Sequence, residues 1–182
     1  MNICESDLEE ASNSAIDPDR ARALLHAIAR NCSQEASNTT ILADVKNSSV
    51  GMTEPTLRVY AEALRRLFVL QEVKAWAPAL RSRTPLRSAK VWHLCDPSLA
   101  AAALSVNEKG LLQDLLTMGL LFESLCVRDL RAYSGVLRGG IYHYRDKSGL
   151  EVDAILRLQD GRWAGIKVKL GGPSESKRER VI

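Results

Sequence analysis

The stretch Ile141–Leu170, IYHYRDKSGLEVDAILRLQDGRWAGIKVKL, decides the reading of the fold. Three apolar runs are preceded by Gly139-Gly140 and separated by Lys147-Ser148-Gly149 and Asp160-Gly161. Polar, glycine-bearing breaks between short runs rich in aromatic and β-branched residues predict strand, turn, strand, turn, strand. Side chains alternate along a strand with period two. Glu151 and Asp153 therefore share a face of the middle strand, and Lys167 and Lys169 share a face of the last.

Upstream, apolar residues recur at helical spacing over roughly 111–133, a long helix that offers Glu123. An acid on a helix, an acid on a strand and a lysine on the next strand outline a divalent-metal nuclease site. Magnesium needs oxygen ligands, commonly two or three carboxylates, to be held and to activate water. Here Lys167 stands where the second strand carboxylate is expected, a local change of two charge units that sets an ammonium against the cation. Glu151 is the one acid placed to substitute for it. On pattern alone, the four charges read most simply as the solvated face of an antiparallel sheet with cross-strand ion pairs.

Nearer the N-terminus, Asp17-Pro18 opens a helix carrying Leu24, Leu25, Ile28 and Ala29. A polar break over 31–38 ends it, and Thr39 or Thr40 is expected to cap a second helix with Ile41, Leu42 and Val45. Thr53 caps a third, whose apolar stripe is Leu57, Tyr60, Ala61, Leu64 and Phe68. Two β-like runs, 69–76 and 91–94, flank a basic segment over 81–90. Three helices and a hairpin form the pattern of a winged helix. Its nucleic-acid-binding candidates are Arg58, Arg65 and Arg66 on the third helix and Arg81, Arg83, Arg87 and Lys90 in the wing. Glu54 and Glu62 on that helix count against a DNA surface. Asp96-Pro97-Ser98 then starts a short alanine-rich helix.

Six stretches carry a resemblance: LLHAIARN (24–31), TEPTLRVYAEALRRLFVL (53–70), DPSLAAAAL (96–104), GLLFESLCVRDL (119–130), YHYRDKSGLEVD (142–153) and GRWAGIKVKLGG (161–172). In order and spacing they resemble the uncharacterised C-terminal region of bacterial and archaeal AAA+-type ATPases, often named simply ATP-binding proteins. The resemblance implies an α/β (α+β) chain: a winged-helix-like domain over 17–95, then a truncated PD-(D/E)XK restriction-endonuclease-like domain over 96–172. It implies Glu123, Asp153 and Lys169 as catalytic positions, with Glu123 and Asp153 as magnesium ligands. All are vestigial here, because Lys167-Val168-Lys169 replaces the family's E-V-K. The implied ATPase module is not in this sequence, which has no G-x-x-x-x-G-K-[ST] and so no ATP site. The chain is then expected to be a fragment, a stand-alone derivative or a decayed gene product.

The 182 residues are 46% hydrophobic, enough for a core, and the net charge of +3 is too small to identify a nucleic-acid partner. Cys4, Cys32, Cys95 and Cys126 form no C-x-x-C pair, which excludes an ordinary zinc site and fits reduced thiols in the cytoplasm. There is no signal-peptide pattern and no apolar run long enough to span a membrane. Residues 1–16 and 173–182 are expected to lie outside the packed fold. The last strand is expected to lack a covering helix, leaving a sheet face bare. DNA and a protein are both open as partners, the first as a winged module beside a degenerate nuclease-like site, the second as an interaction module.

Overall fold

The computed structural model describes residues 7–12, 15–77, 89–146 and 149–171. Arg81, Arg83, Arg87 and the tail after 171 lie outside them. Among the described residues the fold is mixed α+β, with seven helices and one five-stranded sheet.

The N-terminal half is helical: α1 (Asp7–Ser12), α2 (Pro18–Arg30), α3 (Asn38–Lys46) and α4 (Glu54–Arg66). Asp17 caps α2, accepting from Asp19 N at 2.9 Å, and its own N–H donates to the Tyr60 hydroxyl at 2.8 Å, tying α2 to α4. Thr53 caps α4 as its sequence position predicts. The cap of α3 is Ser37, not Thr39 or Thr40. Ser37 has an extended backbone and its hydroxyl accepts from Thr40 N at 3.1 Å, so both threonines fall in the first turn. Residues 7–12 correct the expectation of an unfolded N-terminus: they form α1, and Leu8 is fully buried.

The strands are β1 (Leu70–Ala75), β2 (Val91–Leu94), β3 (Gly140–Arg145), β4 (Glu151–Arg157) and β5 (Trp163–Ile166), in spatial order β2-β1-β3-β4-β5. All pairs are antiparallel except β1 with β3. A parallel pair needs a long crossover. It is supplied here by α5 (Pro97–Ala103), α6 (Glu108–Gln113) and α7 (Leu115–Val136). One sheet thus runs through the hairpin of the helical half and the three C-terminal strands. The long helix expected over 111–133 is interrupted at Asp114, which leaves helical geometry and accepts from Thr117 N and Oγ1 at 3.1 and 2.6 Å. An aspartate favours this capping geometry over a helix interior.

The largest core lies among the helices and includes Leu24, Leu25, Ile28, Ile41, Leu57, Leu64 and Trp92. A second, with Val73, Val127, Ile141 and Ala154, fixes α7 on one sheet face. The other face, expected to be bare, carries a hydrophobic cluster of Trp76, Tyr144 and Ile155 flanked by Tyr142 and Trp163. The Trp76 and Trp163 ring centroids are 4.7 Å apart.

Candidate functional site

A pocket of about 340 Å³ opens between α7, the centre of the sheet and the α2–α3 loop. Glu123 enters from α7, Glu151 and Asp153 from β4, and Lys167 from just past β5. His143 and Arg145 come from β3, and Ser33 and Glu35 from the loop.

A bulge aims Asp153 into this pocket. Gly140, Ile141 and Tyr142 pair with Arg157, Leu156 and Ile155, but Tyr144 pairs with Val152, so Asp153 and Ala154 together stand against His143. A bulge admits one extra residue and re-aims side chains. Ala154 therefore packs towards α7 while Asp153, its neighbour, also reaches the α7 side.

Asp153 is buried, and both its oxygens are engaged. Oδ1 accepts from Lys167 Nζ at 2.6 Å and Oδ2 from Val168 N at 2.7 Å. The Asp153 side chain is 3% exposed and that of Lys167 46%. Burial alone pulls the Lys167 ammonium down, but the Asp153 hydrogen bond and the fields of Asp153, Glu151 and Glu123 outweigh it and hold the ammonium above its ordinary range. Glu123 goes the other way. Burial first, then the Asp153 charge and more weakly Glu151, push its carboxyl up to about 7 against the pull of Lys167.

Glu151 faces solvent and lies 3.8 Å from Arg145, its cross-strand partner. His143 donates from Nε2 to Ala89 O at 3.0 Å, because a carbonyl can only accept. Burial lowers its basicity, so the imidazole is neutral at pH 7 and its 3.8 Å approach to Glu35 is not an ion pair. Lys169 is exposed and does not line the pocket: β5 ends at Ile166, so strand alternation does not carry Lys169 to the side of Lys167.

These donors do not fit the magnesium ion that the resemblance implies. The better carboxylate is saturated by an ammonium and an amide, and the other acid holds its proton near neutrality. Among the described residues no three His, Cys, Asp or Glu side chains form a metal-binding group.

The basic residues of α4 are distributed differently. Arg58 pairs with Glu54, Arg65 with Glu62 and Glu72, and Arg66 with Glu62. Lys90 pairs with Glu72 at 2.8 Å. Arg128 bonds Asp96 and Asp129, while Arg131 makes an ion pair with neither Asp129 nor Glu123. Sequence reasoning missed Ser33, Glu35, His143 and Arg145 as pocket walls. Single-residue bridges from Cys32 to Trp92 and from Glu35 to Val91 bring the loop to the sheet, and no local pattern signals a contact across nearly 60 positions.

A protonated Glu123 has a consequence for stability. Its folded pKa lies above the ordinary 4.5, so its stabilising contribution is complete below about 4.5 and is lost as pH rises through about 7. His93 opposes it: burial, with the fields of Arg131 and His143, depresses it to about 3, so its contribution is lost as pH falls below about 6.5. Comparison with Glu123→Gln isolates the first effect. The wild-type melting temperature is expected to fall by a few degrees relative to the variant between pH 5 and pH 8, at roughly 2–4 °C per kcal/mol. Thermal unfolding across that range checks it, and a constant difference would show that Glu123 is ionised throughout.

The architecture is thus a helical unit sharing one sheet with a C-terminal strand trio, around a mixed-charge pocket centred on a buried ion pair. Residues 1–110 match the domain-of-unknown-function family DUF8612, and the chain belongs to that family. Residues 118–181 match a second domain of unknown function, DUF4143, which covers α7 and the C-terminal strands. No curated protein and no solved structure matches the chain. Among the described residues no helix is long and apolar enough to cross a membrane.

Proposed function

We propose that this protein is a non-cleaving binding module, related to the C-terminal region of AAA+-type ATP-binding proteins, in which Lys167 replaces the cation of a nuclease-like site. The observation that carries this reading is the 2.6 Å contact of Lys167 Nζ with the buried Asp153. A fixed ammonium can neutralise the acid and hold the strands. It cannot lower the pKa of a bound water as a metal does.

The partner in this reading is a protein. On the α4 side, the four cations Arg58, Arg65, Arg66 and Lys90 meet the three carboxylates Glu54, Glu62 and Glu72, which leaves a weak field. Leu112, Leu115 and Leu116, by contrast, present side chains 65%, 63% and 75% exposed around the α6–α7 junction. A DNA partner is the second reading. It is favoured by the segment 81–90, with Arg81, Arg83, Arg87, Lys90 and no acid.

Fluorescence anisotropy with labelled duplex DNA across a salt series separates the two. The protein-partner reading expects weak binding that an Arg81, Arg83, Arg87, Lys90→Ala variant leaves unchanged. Binding that falls with salt, with a slope shallower in the variant by roughly 0.9 for each phosphate it no longer neutralises, would establish the DNA reading instead.

A further inference from the structure

The side of α7 that turns away from the sheet is apolar almost from end to end. Leu115, Gly119, Phe122, Cys126, Asp129, Tyr133 and Val136 recur at steps of four and three. A period of 3.5 residues draws one narrow stripe along a helix, the pattern of a seam that meets a second helix. The residues that α7 buries within the chain, Leu121, Ser124, Val127 and Ser134, lie around the opposite side. No stripe residue belongs to a hydrophobic core cluster of the described residues. Leu115 is 63% exposed, Tyr133 69% and Val136 85%. The one charge in the stripe, Asp129, is compensated on its own helix, where Oδ1 accepts from Arg128 Nε at 2.9 Å. A surface helix ordinarily turns charged residues to water. Here the outer seam is neutral.

The spacing of the stripe names what fits it. From Leu115 to Tyr133 the steps of four, three, four, three and four read the same in both directions. A second copy of α7 laid antiparallel therefore presents the same seam in register. Leu115 then faces Tyr133, Gly119 faces Asp129 and Phe122 faces Cys126, each pair occurring twice about a two-fold axis. Every layer sets a larger side chain against a smaller one, and a Cβ built on Gly119 would meet nothing within 4 Å, so that gap is open to a partner. Beyond the layers, Val136 and Leu137 of one copy reach Leu112 and Leu116 of the other, four side chains that are all exposed. The helix dipoles oppose each other in this arrangement. A parallel pair would align them and set Asp129 against Asp129.

α7 spans 22 residues, about 33 Å. The exposed side chains at its two ends, with the half-buried middle of the seam, offer on the order of 500 Å² per copy. The pair then buries ~1,000 Å², the lower bound for a specific interface, which suits a reversible dimer. We propose, resting on the protein-partner reading above, that the partner is a second copy of this chain docked through antiparallel α7 helices.

Sedimentation velocity of the whole protein over a dilution series tests the assignment. A reversible dimer is expected, with a Kd of roughly 1–100 μM. Leu115→Glu and Tyr133→Lys are each expected to weaken it about tenfold or more, by setting a charge in an apolar layer. Both positions are exposed, and an acid in the first turn of a helix or a base in the last suits its dipole, so both variants are expected to fold. The double variant is expected to recover at least about tenfold over either single one, because the introduced acid at 115 faces the introduced base at 133 of the other copy. A parallel pair would oppose like charges at both positions. A monomer at every concentration, a dimer indifferent to both substitutions, or a double variant weaker than the single ones would overturn the proposal. The DNA titration keeps the two failures apart: a monomer whose weak DNA binding is unchanged in the Arg81, Arg83, Arg87, Lys90→Ala variant loses the second copy and keeps a protein partner.

Discussion

Replacing Lys167 by glutamate is expected to turn the Asp153 pocket into a divalent-cation site. The substitution changes the local charge by two units and removes the ammonium that occupies Asp153 Oδ1. The introduced carboxylate would join Asp153 and Glu123, a donor set suited to magnesium or manganese. Without metal the variant should be less stable. Removing one partner of a fully buried pair costs about 3–5 kcal/mol. Lys167 is 46% exposed, so solvent screening reduces this to roughly 1–3 kcal/mol. With metal at about one hundred times its Kd, binding returns close to 2.7 kcal/mol. Melting temperatures measured with and without Mn²⁺ should separate by several degrees in Lys167→Glu and coincide in the wild type. Equal responses in the two proteins would show that Lys167 does not exclude the cation.

Trp92→Ala should be among the most damaging single changes in the chain. Trp92 sits on β2 at the junction of the helical core and the sheet, 1% exposed, with Nε1 donating to Ala36 O at 2.7 Å. Truncating a buried tryptophan costs about 3–5 kcal/mol, from the apolar burial forfeited and the cavity left behind. The orphaned Ala36 carbonyl adds to this, because a buried acceptor left unmade carries its own desolvation penalty. The Ala36 carbonyl belongs to the loop that carries Ser33 and Glu35, so the pocket wall should loosen as well. Denaturant unfolding should show the destabilisation as a lower midpoint. A cost below about 1 kcal/mol would mean that the helical half and the sheet are not joined through this residue.

Much of this protein is local, and what is local was legible. Asp17-Pro18, Thr53 and Asp96-Pro97 mark helix starts because a cap and its N–H groups lie within three residues of each other. The three C-terminal strands are bounded by turns that glycine permits, as at Gly161 with φ +89°. The pairing of Lys167 with Asp153 was also within reach, since adjacent antiparallel strands bring such residues together. Two local features were not legible: the break at Asp114 was read through as continuous helix, and the cap of α3 was placed at Thr39 or Thr40 where Ser37 holds it, because neighbouring side chains compete for the same N–H groups and geometry alone chooses between them.

By itself, the sequence determined the order of helices and strands, the replacement of an expected acid by Lys167 and the gathering of charge on the C-terminal strands. Each of these depends on residue identity or on a period of a few positions. Only the tertiary structure decided that β1 joins β3, that a bulge at Asp153 turns its carboxylate under α7, and that the α2–α3 loop closes the pocket. It also decided the protonation of Glu123, because burial and counter-charge belong to the space around a group. Long-range pairing and desolvation depend on which distant surfaces meet, and no local period records that.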